Sequence, residues 1–400
     1  MVTDQRDAGR RLVFSAIRKA GRIARVDLAR ITNISAATVT SITAELIREG
    51  LIEETGPNTE GDLRRGRPRV DLKVRGPARY VAGMKLAYDT LTVAVLDFEG
   101  ELVSESHMRL SRVRHSAEEL GPLFALALDQ AAEQGGLKRS DLAGVGLGVS
   151  GTVDANNGVV YWSPGLKERN VPLRDMLQSH LGVPVFVDND ANLVAMAEMF
   201  FGQGRGVSDF IVLTIESGVG MGIVINGELY RGARGCGAEF GHTKVQLDGA
   251  LCRCGQRGCL EAYVADYALL REAATTTDFN DQATAQEKLQ SLVEAARGGD
   301  QTAQMIFERA GRMFAMGLAN IVNIFDPQLI ILSGERMQFD YLYADEVLDS
   351  IRKSIVQIDA DPPEVRIHKW GDLMWAMGAA AYAIDGVAEI AMQQIAGHAA

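Results

Sequence analysis

The sequence predicts a small helical N-terminal domain joined to a larger, two-lobed α/β body, in a chain of 400 residues. Two observations support this division. Residues 1–79 contain 16 lysines and arginines against 10 aspartates and glutamates, whereas residues 80–400 contain 25 against 42. The hydrophobic period also changes near Tyr80, from helical spacing to short strands that alternate with helices. A basic domain on an acidic body suggests contact with a polyanion, although charge alone fits a solvated surface as well.

The N-terminal domain is predicted to contain three helices, over residues 12–19, 25–31 and about 36–49. Gly21 and Gly50 end the first and the third helix, and Ser35 is a suitable N-cap for the third. Two short strands follow, at residues 51–54 and 69–74, on either side of a loop. This order of elements is that of a winged helix-turn-helix. The alternative is a three-helix interaction module.

The exposed face of the third helix carries short side chains near the helix N-terminus. Short side chains let a helix lie deep in the major groove of double-stranded DNA, close to base edges and thymine methyl groups. The candidate DNA-binding residues of this face are Ser35, Ala37, Thr38, Thr40 and Ser41.

The loop between the two strands is rich in arginine. Arg64, Arg65, Arg67 and Arg69 lie within six residues, and the intervening glycine and proline favour an extended segment. Arginines of this kind contact phosphates or enter a narrow minor groove. A solvated linker is the alternative.

The body is predicted to be α/β, with glycine turns at strand ends. Strands are expected near residues 80–88, 91–98, 101–110, 142–149, 184–189, 209–225 and 329–333, with helices near residues 117–134, after 190 and before 326. In such bodies ligands bind in the cleft where the strands end.

One short segment of the body contains His242, Cys252, Cys254 and Cys259, while Cys236 lies just upstream. One imidazole and three thiolates form a closed tetrahedral set for zinc, with Zn–S bonds of about 2.3 Å. Because four protein ligands leave no open position, we expect the zinc to be structural. The alternatives are a disulfide or buried thiols, and a disulfide would require an oxidising compartment.

The N-terminus is too charged for a signal peptide, and no uninterrupted apolar run is long enough to span a bilayer. We therefore expect a cytoplasmic protein with no membrane partner.

The whole pattern resembles transcriptional regulators of the ROK family (repressors, open reading frames, kinases). The resemblance depends on the zinc segment with its GCLEAY tail, and VDNDAN and NIFDPQLIIL support it. It implies an actin-like, ribonuclease H-type sugar-kinase fold behind the winged helix of residues 1–79. Lobe one would comprise about residues 80–197 plus the C-terminal helix, and lobe two about residues 198–384.

The resemblance also implies a sugar site. In the family's kinases the aspartate that matches Asp190 is the general base, and here it would accept a hydrogen bond from a sugar hydroxyl. Asn189 lies beside it, and Glu239, His242 and Glu261 are carried over from the same motifs. His242 would then use one ring nitrogen for zinc and the other for the sugar. A helix N-cap is the alternative role of Asp190.

The segments that resemble the kinases' phosphate loops differ from them. Lys85 replaces the first aspartate, Ala87 and Tyr88 replace two glycines, Glu216 opens the second segment, and Glu335 follows Gly334 in the third. Phosphate needs the close backbone approach that glycine permits, and a carboxylate repels it. We therefore expect no ATP-dependent activity. Lys167 and Glu168 also stand where many members have a Gly-Trp pair, which leaves the ligand's identity open.

The resulting prediction is a sugar-responsive regulator, most typically a repressor of carbohydrate uptake or catabolism genes. It would bind operator DNA through the winged helix and a sugar inducer in the cleft, as a homodimer or tetramer that reads paired half-sites. The alternatives are an ATP-dependent sugar kinase with an added N-terminal domain, and a zinc ribbon that binds nucleic acid.

Overall fold

The computed structural model describes residues 2–56, 70–87, 90–111, 114–275, 279, 282–334, 345–356, 362–369, 371 and 373–398. The chain divides into two compact units. Unit 1 comprises Met1–Phe200 with Asp372–Ala400, and unit 2 comprises Phe201–Gly371.

The first part of unit 1 is a winged helix, as predicted. Its elements are α1 (Val2–Ala20), β1 (Ile23–Ala24), α2 (Arg25–Thr32), α3 (Ala36–Arg48), β2 (Ile52–Thr55) and β3 (Asp71–Val74). The three strands form one antiparallel sheet in the order β1-β3-β2. Strand β1 was not predicted, because two residues are too short for a periodic signal. The arginines Arg64, Arg65, Arg67 and Arg69 lie outside the described residues.

Helix α1 begins ten residues before the predicted start at Leu12, so that boundary was wrong. The reason is a buried arginine: Arg10 is 2% exposed and pairs with Asp7 and Glu45. A charged residue at a buried position interrupts the apolar period that would otherwise reveal the helix. The other boundaries were close, because Gly21, Asn33 and Gly50 adopt the positive φ that ends helices α1 to α3.

The rest of unit 1 is an α/β layer. Its elements are β4 (Tyr80–Leu86), β5 (Thr90–Asp97), β6 (Leu102–Arg109), α4 (Ala117–Gln134), β7 (Leu142–Val149), β8 (Thr152–Asp154), β9 (Val159–Trp162), α5 (Leu173–Leu181), β10 (Val185–Asn189) and α6 (Asp190–Phe200). The main sheet has the order β10-β7-β4-β5-β6, with β4, β7 and β10 parallel. Helices α4 and α5 cover one face of this sheet and enclose a core of Val, Leu and Ala side chains.

Unit 2 repeats the same topology. Its strands are β11 (Phe210–Ile215), β12 (Val219–Ile225), β13 (Glu228–Tyr230), β14 (Leu329–Ser333) and β15 (Glu364–His368), in the order β13-β12-β11-β14-β15. Its helices are α7 (Glu261–Val264), α8 (Asp266–Ala273), α9 (Ala285–Arg297), α10 (Gln301–Phe325) and α11 (Asp345–Ser354). Both sheets thus have three antiparallel strands followed by two parallel ones, the duplication expected of a ribonuclease H-type fold.

The final helix, α12 (Leu373–His398), belongs to unit 1, so the predicted end of lobe two at residue 384 falls inside this helix. Within the described residues, its segment Leu373–Ile395 is long and apolar enough to span a membrane, which the sequence pattern had not indicated. That segment is 61% buried and packs on strands β4 and β7. Its apolar character is therefore explained by its place in the core.

Candidate functional site

Helix α3 presents the predicted recognition face. Ser35, Ala37, Thr38, Thr40 and Ser41 are all exposed, whereas Val39, Ile42 and Leu46 on the opposite side are buried. Ser35 is the N-cap, since its hydroxyl accepts a hydrogen bond from the Thr38 backbone N–H at 3.2 Å. The exposed face is thus made of side chains short enough for close approach to another surface.

Helix α3 is attached to α1 by a buried ion pair. The Arg10 guanidinium donates to Glu45 at 2.9 Å and to Asp7 at 2.5 Å, and Arg6 also pairs with Glu45. Burial raises the pKa of the Glu45 carboxyl, but the hydrogen bonds and charges of Arg10 and Arg6 outweigh it and hold that pKa below its ordinary value. Glu45 is therefore ionised at neutral pH and fixes α3 against α1.

In unit 1, the predicted sugar residues Asn189 and Asp190 lie where strand β10 becomes helix α6. The Ala191 N–H donates to the side-chain oxygens of both residues at 2.9 Å, so the two share the cap of this helix. The Asn189 amide also donates to the Gly151 carbonyl at 2.8 Å. The Ser150 hydroxyl donates to the second carboxylate oxygen of Asp190. Ser150 was missed in the sequence, although it follows strand β7 at the carboxyl edge of the same sheet.

Lys167 and Glu168 contact the N-terminal end of helix α4. The Lys167 ammonium lies 3.4 Å from Glu119, and Glu168 accepts a hydrogen bond from the Ala117 backbone N–H at 3.1 Å. The Ser116 backbone N–H donates to Glu119 in a capping box. These contacts give both residues a role in holding the loop to α4.

In unit 2, the structure brings His242, Cys252, Cys254 and Cys259 together. Their ligand atoms all lie within 4.8 Å of one another. The sulfurs of Cys254 and Cys259 are 3.7 Å apart, and the Cys252 sulfur is 3.7 Å from Nδ1 of His242. The described residues include all four cysteines of the chain, and none of these cysteines forms a disulfide.

The donor set fits a tetrahedral metal ion. Metal–sulfur bonds of about 2.3 Å at tetrahedral angles separate two sulfurs by about 3.8 Å, close to the observed separation. The loop reaches this shape through Gly255 and Gly258, whose φ angles are +88° and +74°. The cluster is thus compatible with a metal site made entirely of protein ligands.

The cluster is contiguous with the two predicted sugar carboxylates. The Tyr267 hydroxyl lies 3.5 Å from the Cys252 sulfur and 3.3 Å from Glu261, whose other oxygen accepts a hydrogen bond from the Val219 N–H at 3.3 Å. Nε2 of His242 lies 3.9 Å from the Glu239 carboxylate, while Nδ1 is the ring nitrogen next to the Cys252 sulfur. The loop that carries the cluster therefore also orients Glu239 and Glu261. Tyr267 was missed in the sequence because it lies beyond the motif.

The protonation of the cluster depends on its occupant. Burial raises the pKa of the Cys252 thiol, and the Glu261 carboxylate adds to the effect. Burial likewise raises the pKa of Tyr267, reinforced by its contact with Cys252. A bound cation reverses this balance, because it stabilises thiolates. The Lys244 ammonium donates a hydrogen bond to the Cys259 sulfur at 2.9 Å.

The segments compared with phosphate loops carry charge in both units. Lys85 in unit 1 is 4% exposed, and its ammonium lies 3.7 Å from the centre of the Trp375 ring. In unit 2, Gly334 packs beside Glu216, since a Cβ on Gly334 would lie 3.3 Å from the Glu216 Cγ. The second and third segments thus meet at a carboxylate. Tyr88 and Glu335 lie outside the described residues.

Comparison with known proteins accounts for both parts of the chain. Residues 8–53 match the winged helix-turn-helix DNA-binding family, and residues 81–386 match the ROK family. The chain belongs to the ROK family. The xylose repressor of Caldicellulosiruptor bescii is 30% identical over 349 residues, which cover 86% of each chain.

Two solved structures of ROK proteins are similar in fold. A ROK family transcriptional regulator, described as a homolog of the E. coli Mlc protein, superposes with a TM-score of 0.77 at 23% identity and covers 98% of this chain and 99% of its own. A ROK family glucokinase from Streptomyces griseus, in complex with glucose and AMPPNP, has a TM-score of 0.64 at 32% identity and covers 76% of this chain and 99% of its own. With its DNA-binding domain and its repressor relative, this ROK protein is a transcriptional regulator and not one of the family's kinases.

Proposed function

We propose that this ROK protein is a sugar-responsive repressor of carbohydrate uptake or catabolism genes. One observation carries the proposal: a winged helix with an exposed recognition face precedes a sugar-kinase-like body whose phosphate segments carry Lys85 and Glu216. The first feature supports binding of operator DNA. The second feature argues against ATP binding, because these side chains stand where the family's kinases hold phosphate. Sugar binding would then act as a regulatory signal and not as the first step of phosphorylation.

The DNA-binding part of the proposal uses two kinds of contact. Thr38, Thr40 and Ser41, with Ser35 and Ala37, would face base edges in the major groove, which gives sequence preference. Arg64, Arg65, Arg67 and Arg69 would contact phosphates or the minor groove, which gives affinity without sequence preference. Since operators are paired half-sites, the protein would act as a homodimer or tetramer in the cytoplasm.

The sugar-binding part uses hydrogen-bonding groups that the two units hold in place. Asn189 and Asp190 at the start of α6 offer an amide and a carboxylate to sugar hydroxyls. The carboxylates of Glu239 and Glu261 offer further acceptors next to the Cys/His cluster, and the second ring nitrogen of His242 offers a donor when the first binds the metal. The relatives are a xylose repressor and a glucokinase with bound glucose, so pentoses and hexoses are the class of ligand to test.

The metal in this proposal is one structural Zn²⁺ per chain, held by His242, Cys252, Cys254 and Cys259. Three thiolates and an imidazole are a typical zinc set. When bound, the ion would supply a cross-link and a positive charge, while Tyr267, Glu261 and Glu239 would keep their orientation because the loop between them is anchored.

A two-step measurement tests the function. Thermal-shift assays with D-xylose, D-glucose and N-acetyl-D-glucosamine identify the sugar that stabilises the protein, because a ligand that binds the folded state raises Tm. Fluorescence anisotropy on a duplex selected from a random library then measures DNA affinity with and without that sugar. We expect a change in affinity of about 5- to 150-fold, the usual range of allosteric coupling. Equal affinity in both conditions, for every sugar that binds, would contradict the proposal.

The kinase alternative has a separate test. A coupled assay with ATP and the same three sugars should show no turnover, whereas a sugar kinase works at roughly 1–100 per second. Turnover in that range would show that the phosphate segments function despite Lys85 and Glu216.

A further inference from the structure

Helix α12 has two packed faces within unit 1. One face lies directly against the backbone of the sheet. A Cβ on Gly83 would lie 1.9 Å from the Ala376 carbonyl oxygen, and a Cβ on Gly146 would lie 1.8 Å from the Ala379 carbonyl oxygen. The other face carries Ala381, Asp385 and Glu389, spaced four residues apart. This second face meets helix α1 of the DNA-binding domain.

Arg18 of α1 lies at this contact and bonds to helix α12. It is 8% exposed, its guanidinium pairs with the Asp385 carboxylate, and it donates to the Ala381 carbonyl at 3.1 Å. The same guanidinium lies 3.7 Å from the centre of the Phe200 ring. Burial lowers the pKa of Arg18, opposed by the charge and hydrogen bond of Asp385, so the carboxylate compensates a cation that has lost its water.

Phe200 connects this contact to the proposed sugar residues. It is the last residue of α6, and Asp190 is the first, so about 15 Å of one helix separates them. Helix α6 is held rigidly on α12, because a Cβ on Gly378 would lie 1.9 Å from the Leu193 carbonyl oxygen. Because α6 and α12 are packed so closely, a shift of α6 at Asp190 would move both helices together, and it would reach Arg18 through Phe200 and Asp385.

At its other end α1 is bonded to the recognition helix through Arg10 and Glu45. We propose that Arg18, together with Phe200 and Asp385, forms the joint that transmits sugar occupancy at Asp190 to the orientation of α3. These three act as positioning residues, and their role rests on the proposed function.

The test compares two ion pairs between the same two helices. Asp385→Asn removes the charge that faces Arg18, and Asp385→Glu restores a carboxylate. Glu389→Gln is the matched control, because Glu389 pairs with Arg11 at 2.6 Å one turn further along α12, where both side chains are exposed. Asp385 is itself 43% exposed, so its amide variant is expected to fold, and circular dichroism verifies this.

Two readouts separate positioning from mere stability. The first is the preference of each variant among duplexes that carry two half-sites at varied spacing, measured without sugar. The second is the ratio of duplex affinities with and without whichever of D-xylose, D-glucose or N-acetyl-D-glucosamine stabilises the wild type. We expect Asp385→Asn to reduce both the spacing preference and the ratio by about 2- to 30-fold. Affinity for a single half-site and for the sugar itself should stay within twofold of wild type.

Each outcome decides one of the two claims. If Asp385→Asn keeps the spacing preference of Glu389→Gln, or if Asp385→Glu does not recover it, the joint is disproved. If the wild type shows no response to any of the three sugars, the sugar-responsive function fails, while the spacing preference still decides whether the joint sets the orientation of α3.

Discussion

At the scale of single residues, Gly258 constrains the loop of the Cys/His cluster most tightly. Its φ is +74°, and a Cβ would lie 1.7 Å from the Gln246 carbonyl oxygen, a backbone atom that cannot move aside. Gly255 has a similar φ of +88° but nothing within 4 Å of its Cβ position. We expect Gly255→Ala to cost about 1–2 kcal/mol of folding free energy through strain alone, and Gly258→Ala to cost more. Urea unfolding of both variants measures the difference, and equal costs would contradict the clash.

Cys254 provides the residue-scale test of the metal. Cys254→Ala removes one of four ligands, and we expect the purified variant to lose its zinc and its sugar response, because the loop near Glu239 and Glu261 loses its anchor. Cys236→Ala is the matched control, since the Cys236 sulfur lies outside the cluster, 3.4 Å from the Arg234 carbonyl oxygen. Elemental analysis of both variants and the wild type is the measurement. Zinc-free wild-type protein would refute the assignment.

At the scale of elements, the sequence predicts helix boundaries best where a regular apolar stripe is accompanied by a capping residue. Helix α3 was predicted to within one residue, because its buried stripe is regular and Ser35 and Gly50 mark its ends. The first half of helix α1 was missed because Arg10 occupies a buried position through an ion pair with Glu45 that only the fold creates. Helix α12 has alanine and glycine on all of its sides, so the sequence shows neither which side is buried nor where the helix begins.

The attachment of α3 to α1 predicts a dependence on pH. Since Glu45 has a lowered pKa in the folded state, its ion pair contributes stability above its ordinary pKa of 4.5 and loses it as the pH falls through the lowered value. Glu45→Gln should therefore be less stable by about 1.5–3 kcal/mol at pH 7, with a smaller difference in acid. Glu49→Gln, on the same helix with an exposed 3.5 Å pair, should show neither effect. Thermal unfolding at several pH values measures both.

The proposed DNA contacts of this domain predict how DNA affinity depends on salt concentration. Arg65→Ala or Arg67→Ala should lower the slope of log affinity against log salt by about one unit per chain and weaken all duplexes alike. Changing Thr38 or Ser41 should instead alter the preference between duplexes, because base contacts specify and phosphate contacts position. Unchanged affinity and slope in both arginine variants would assign the loop to a linker.

At the scale of the whole molecule, topology explains what the sequence could predict. The repeated strand order of the two sheets follows from patterns that are local in sequence, so the α/β body and the ROK resemblance were accessible. Contacts distant in sequence were not: Ser150 lies 40 residues from Asp190, and Arg18 lies 367 residues from Asp385. The fold brings each pair together, and no spacing rule indicates them.

Asp190 joins the two functions in one prediction. Asp190→Ala should leave DNA affinity intact, because the carboxylate lies in the α/β body of unit 1 and, among its described contacts, bonds only Ser150 and Ala191 of that body. Its loss should remove a charge-assisted hydrogen bond to a sugar hydroxyl, worth about 1.5–3 kcal/mol, or about 10- to 100-fold in sugar affinity. Asp175→Asn, which alters an exposed carboxylate paired with Arg174, is the control. Anisotropy titrations of both variants against a sugar series measure the response, and a wild-type response in Asp190→Ala would remove the sugar site from the start of α6.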